Sequence, residues 1–277
     1  MAISINRTNI LTSAVAFAAS AGGGATAAEA APAAKPTGGK PTVVLVHGAF
    51  ADASGWSKTA KRLRRDGYAV RTVANPLRGI AFDAATVRSV LDAVEGPKVL
   101  VGHSYGGAVI TAAASGRQDV KALTYIAAFA PDQGEPLGAL LERPVDHPIA
   151  PLALVPAEVH LPDGSVQADL SIDPSQFRAQ FAGDLPADEA EDLALAQRPL
   201  NAAAFGEPLT VEPAWKTIPS WYIVAGKDRA IAPDLERFMA ARAKAKTVEV
   251  KGASHVVFMS QPEAVVKVIE QAARAAR

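Results

Sequence analysis

Three residue types in one order carry the chemistry of this chain. Ser104 sits in VLVGHSYGG, residues 99–107, a G-x-S-x-G motif with an apolar run before it and a helix-like run after it. That context places the serine on a tight strand-to-helix turn, where the backbone is strained and the neighbours two residues away must lack side chains. The turn pushes the hydroxyl out above the sheet. The helix start brings backbone N–H groups and a positive dipole end beside it. A serine attacks only when a base takes its proton, and the base needs an orienting carboxylate. With such a turn the chain order is serine, then acid, then histidine. Asp228 in AGKDRAIAP and His255 in GASHVVF follow in that order, each just past an apolar run that reads as a strand. Asp132 also follows such a run and stands as the alternative acid.

Acyl transfer further requires donors for an oxyanion. The amide of Tyr105, directly after the serine, supplies one. The second is expected from the loop His47-Gly48-Ala49-Phe50, with Ala49 as the donor and Phe50 as its rival. Together these parts describe attack by Ser104, proton shuttling by His255, an imidazolium stabilised by Asp228, and hydrolysis of the acyl-enzyme by water. Phe50, Phe129, Val256 and Phe258 flank these positions and are expected to line the substrate pocket. Of the other histidines, His103 is expected beneath the serine and His47 behind the oxyanion loop. His147 and His160 are expected to be solvated or bonded locally.

The elements that must position these groups are legible from periodicity. Residues 42–47, 68–74, 98–103, 122–130, 220–226 and 247–252 read as strands, each closed by glycine, proline or a turn. Between them, residues 54–66, a segment capped by Asp83, 105–115, 233–243 and 262–274 show helical spacing. Strand–helix alternation predicts an α/β fold, a mostly parallel twisted sheet with helices on both faces. Residues 132–212 break the rhythm with ten prolines and short amphipathic pieces, and read as a cap inserted into a core of 41–131 and 213–277. Leu137, Leu140, Leu141, Leu152, Leu154, Val155, Phe177 and Phe181 in that insertion are expected mainly to pack it onto the body.

Composition narrows the function class. The chain has 277 residues, balanced at 28 basic and 28 acidic, which argues against the clustered positive charge of a nucleic-acid binder. It has no cysteine, which removes disulfides, thiolate nucleophiles and Cys-bound zinc. No His/Asp/Glu cluster has ligand spacing, so neither metal nor cofactor is expected. Residues 1–30 read as a secretory signal: Arg7, an apolar stretch at 10–21, and a small-residue run ending Ala28-Glu29-Ala30. The apolar stretch is shorter than the roughly 20 residues of a membrane span, so no stable membrane insertion is expected. A linker at 31–40 leads into the core, and the expected location is periplasmic or secreted, with cytoplasmic as the alternative.

VLVHGAFADASGW and LVGHSYGGAVI resemble the α/β-hydrolase superfamily, and within it the branch of plant methyl-ester esterases, hydroxynitrile lyases and many bacterial carboxylesterases. The resemblance spans most of 41–277 and implies hydrolysis of small-molecule carboxylic esters without a cofactor. Lactones, amides, polyesters and a perhydrolase side reaction use the same machinery. A non-catalytic ligand-binding relative is a further alternative, although the acid and the histidine are both present. Two departures tell against lyase chemistry. Val256 stands where those lyases place a lysine after the histidine, and Gly48 where they place a hydroxyl residue. Ser104 excludes the aspartate nucleophile of dehalogenases of the same fold. A small-to-medium apolar or aromatic ester is the expected substrate.

Overall fold

The computed structural model describes residues 39–276. The expected export segment lies outside them, as does the expected linker except for its last two positions. The valine-rich run becomes β1 (Thr42–Val46), buried at every position, as is β3 (Lys98–His103). β2 (Val70–Val73), β4 (Val120–Ile126), β8 (Ser220–Ala225) and β9 (Lys246–Val250) complete a six-stranded sheet in the order β2-β1-β3-β4-β8-β9. Every pairing in it is parallel. The inner strands are continuous apolar runs because both of their faces are covered, as parallel sheets require. Of the edge strands, β9 is largely exposed and β2 partly buried.

Right-handed crossovers dictate which helix lies on which face. From β1 the chain steps outward to β2, sending α1 (Ser57–Arg65) to one face, where it packs with α9 (Pro262–Ala275). The steps from β2 to β3 and from β3 to β4 run the opposite way. They put α2 (Ile80–Asp92) and α3 (Tyr105–Ala113) together on the other face. β1 and β3 are therefore adjacent strands whose connections leave in opposite directions. In such sheets the crevice beyond the carboxyl ends at that point is where ligands bind. The Gly48–Ala49 loop follows β1, and Ser104 follows β3.

The segment 132–212 supplies α4 (Leu137–Leu141), an antiparallel hairpin of β5 (Leu154–His160) and β6 (Val166–Ile172), α5 (Pro174–Gln180), α6 (Ala187–Ala196) and the short β7 (Leu200–Asn201). The sequence analysis did not anticipate the hairpin. Its signal is Pro162-Asp163-Gly164, where Gly164 has φ 85° and Asp163 Oδ1 accepts the Ser165 amide at 2.9 Å.

One helix start also differs. Asp83 does not cap α2 but lies inside its first turn, fully buried. The helix begins four residues earlier, with Gly79 at the cap, because the Glu207 carboxylate, arriving from the inserted segment, accepts the amides of Ile80 (2.6 Å) and Ala81 (3.0 Å). α7 (Pro233–Arg242) and α8 (Val257–Ser260) frame the remaining loops of the site.

Candidate active site

Ser104 occupies the turn between β3 and α3 with φ 53° and ψ −125°, a left-handed conformation that non-glycine residues rarely adopt. Three backbone hydrogen bonds hold it there. Its N–H donates to Ile126 O (3.2 Å), and its carbonyl accepts Gly107 N (2.9 Å) and Phe129 N (3.1 Å). The flanking glycines are there for room: a Cβ on Gly102 would stand 2.5 Å from Gly106 O, and one on Gly106 would stand 2.6 Å from Val46 O.

Beyond β8, Asp228 is buried and its Oδ1 accepts the amides of Ala230 (2.6 Å) and Ile231 (3.0 Å). Its Oδ2 lies 2.5 Å from His255 Nδ1. His255 Nε2 is buried without a hydrogen-bond partner among the described residues, and His255 and Ser104 line one cavity. The expected alternative acid is elsewhere. Asp132 pairs with Lys216 at 2.7 Å and accepts the Gln133 amide, and the lysine holds its carboxyl below the usual range.

The two candidate oxyanion donors separate on one bond. The Phe50 amide donates to Arg198 O at 3.0 Å and is spent. The amides of Ala49 and Tyr105 have no acceptor among the described residues, and both residues line the cavity with Ser104. The Tyr105 side chain points away, donating to Asp83 Oδ2 at 2.8 Å.

His47 holds the Ala49 loop from behind. Its Nε2 accepts the Asn75 amide (2.9 Å), so the ring proton is on Nδ1, which donates to Gly48 O (2.8 Å). Asn75, not singled out in the sequence analysis, returns a side-chain bond to His47 O at 3.1 Å. His103 is fully buried, and its Nε2 lies 3.0 Å from the His255 carbonyl, which steadies the histidine loop.

Burial keeps both supporting histidines neutral, moving His47 from its ordinary 6.5 down to about 4. The unfolded chain binds those protons first, so their contribution to stability is complete above pH 6.5 and declines as pH falls toward 4. For His47 the difference amounts to about 3 kcal/mol. Urea unfolding of wild type beside His47→Gln, across that pH range, is expected to show a shallower acid loss in the variant. The buried carboxyls Asp83 and Glu236 titrate the other way but are common to both proteins. Equal slopes would contradict the neutral burial of His47.

The pocket expectations divide. Phe50 and Phe129 line the Ser104 cavity, joined by Leu137, Leu141, Leu152 and Phe181 from the inserted segment. Val256 does not reach it and instead lines an adjoining cavity with Phe50, Phe177, Phe181 and Met259. Phe258 is not a pocket residue. It is fully buried behind the site, its ring 4.4 Å from both Trp56 and His103. The missed residue of greatest consequence is Phe181. Its ring lies 4.8 Å from that of His255 and edge-on to Phe50 at 6.2 Å, standing between the two cavities. At position 48, a Cβ would come within 2.6 Å of Ser104 Cβ, leaving no room for the hydroxyl side chain that lyase chemistry would require there. Among the described residues no group of three or more His, Asp or Glu could hold a metal, and no helix is long and apolar enough to cross a membrane.

A profile of the Alpha/beta hydrolase family matches residues 43–268, the strands and loops just described. The chain belongs to the alpha/beta hydrolase family. A carbendazim hydrolyzing esterase of Nocardioides sp. (strain SG-4G) is 37% identical to it over 113 residues, 36% of this chain and about half (47%) of that protein. Esterase PIR7B of Oryza sativa subsp. japonica is 27% identical over 245 residues, covering 79% of this chain and 90% of the rice protein. Among solved structures, polyneuridine aldehyde esterase superposes with a TM-score of 0.70 over 84% of this chain and 98% of its own, at 20% identity. At that identity the likeness is one of fold. This hydrolase therefore shares its architecture with proteins named as esterases, and its own site geometry must carry the chemistry.

Proposed function

We propose that this hydrolase cleaves carboxylic esters through an acyl-enzyme on Ser104, with His255 as base, Asp228 as its orienting acid, and the amides of Ala49 and Tyr105 as the oxyanion hole. The observation that carries this is the convergence on one cavity of a strained serine with a buried imidazole nitrogen and two amides that have no partner among the described residues. Attack by Ser104 Oγ on the ester carbonyl sends its proton to His255 Nε2. The resulting imidazolium is held by Asp228, and the charge on the carbonyl oxygen is met by the two amides. His255 then protonates the leaving alcohol, and water repeats the sequence on the acyl-enzyme.

The wall of the cavity favours a small-to-medium apolar or aromatic ester. The lining is aromatic and aliphatic apart from Ser104 and His255, and the cavity is small, about 30 Å³. Hydrolysis of p-nitrophenyl esters from acetyl to dodecanoyl tests this. Turnover is expected to peak at short chains. Phe181→Ala, which joins the two cavities, is expected to move the peak to longer chains. No turnover across the series would overturn the ester assignment, and a long-chain peak in wild type would overturn the small-pocket reading.

We further propose that the hydrolase is exported. The basic residue, apolar stretch and Ala28-Glu29-Ala30 site support this. Protein isolated from its native host is expected to begin near Ala31. A start at Met1 or Ala2 would refute it.

A further inference from the structure

We propose that Glu236 is a positioning residue for the Ser104 reaction: a neutral carboxylic acid that donates its proton to Asp228, so that the acid behind His255 is a pair of carboxyls sharing one negative charge. The proposal rests on the ester-hydrolase reading of Ser104, His255 and Asp228.

Glu236 lies in the first turn of α7, which starts just after the Asp228 loop, and it is fully buried. Its Oε2 accepts the Ala225 amide at 3.0 Å. Its Oε1 is buried with no donor among the described residues, and Asp228 is tied to the same residue as Glu236, its N–H donating to Ala225 O at 3.0 Å. A buried acceptor with no donor is costly, and two ionised carboxyls close together in a dry interior are costlier still. One proton between them removes both penalties.

Counting donors decides which carboxyl holds it. Asp228 receives the Ala230 amide, the Ile231 amide and His255 Nδ1, whereas Glu236 receives only the Ala225 amide. Donors stabilise the ionised form, so Asp228 is the anion and Glu236 the acid. Burial, and then the charge of Asp228, push the Glu236 carboxyl well above its ordinary range. The other groups facing it do not compete for the proton. Tyr222 on β8 is held neutral by burial and donates to Ala128 O. Arg237, next on α7, is occupied at the surface by Asp234 and Glu249.

The consequence is a fourth donor on Asp228, beside the Ala230 and Ile231 amides and His255 Nδ1. The acid limb of the kcat/KM profile, where His255 takes up a proton, should therefore depend on residue 236.

Two measurements test this on the full-length protein. Infrared difference spectra of wild type against Glu236→Gln at neutral pH are expected to show a protonated-carboxyl C=O band that the substitution removes. Absence of a Glu236-dependent band would overturn the proposal. This readout needs no turnover, so it stands apart from any failure of the ester-hydrolase reading. In kinetics, Glu236→Leu is expected to lose about tenfold in kcat, with KM little changed and the acid limb moved to higher pH, because Asp228 loses a donor. Glu236→Gln, which restores a neutral donor, is expected to recover both the rate and the profile. A glutamine variant as impaired as the leucine variant, with both folded by thermal melting, would also overturn it.

Discussion

Ser104→Ala is expected to lower kcat by on the order of 10⁶-fold while leaving the fold unchanged. The substitution removes the atom that forms the acyl bond. It spares the amides of Ala49 and Tyr105 and the His255–Asp228 pair, which can still assist direct attack by water, so a residual rate above the uncatalysed reaction is expected. The fold should persist because the conformation at 104 is set by backbone bonds to Ile126, Gly107 and Phe129, none of which involves the hydroxyl. Melting should therefore be close to wild type. Ser104→Gly should melt higher, by roughly 1–2 kcal/mol in stability, since glycine adopts φ 53° without strain. Near-wild-type turnover in Ser104→Ala would remove Ser104 as nucleophile.

Asp228→Asn carries the second large effect, a fall in kcat of about 10⁴-fold with KM nearly constant. The geometry predicts why. The Ala230 and Ile231 amides demand an acceptor, so the carboxamide oxygen must take the place of Oδ1. Its NH₂ group then faces His255 Nδ1, where the carboxylate oxygen now lies at 2.5 Å. His255 must answer with an unprotonated Nδ1, which leaves its proton on Nε2, facing the serine it should deprotonate. Asp132→Asn is expected to behave like wild type, because that carboxylate is engaged with Lys216. An inactive Asp132→Asn beside a fully active Asp228→Asn would reverse the assignment of the acid.

Much of this site was open to inspection in the one-dimensional chain. The strand–turn–helix context of G-x-S-x-G is local, and the left-handed conformation it imposes on Ser104 is a matter of backbone sterics that glycines two residues away make possible. The parallel sheet is likewise written in runs such as the fully buried β1, because a strand covered on both faces has no need of alternation. The order of serine, acid and histidine placed all three residues just beyond strands.

What the chain alone left open were choices between neighbours in space. Ala49 and Phe50 are adjacent in a loop, and the sequence favours Ala49 without showing what occupies the Phe50 amide. Only the arrival of the Arg198 carbonyl from the inserted segment spends the Phe50 amide. Asp228 and Asp132 both follow strands, and the contact with His255 separates them. Phe258 lies close to His255 in sequence, yet the short α8 turns it inward against Trp56 and His103, away from the cavity. Phe181 is one apolar residue among several in the insertion, and its packing on His255 arises where the insertion folds over the sheet. Local motif chemistry is set by dihedral preferences over a few residues, which a sequence displays directly. Which amide is free, which carboxylate is paired and which ring faces the substrate depend on contacts between segments far apart in the chain, and these exist only once the tertiary structure has formed.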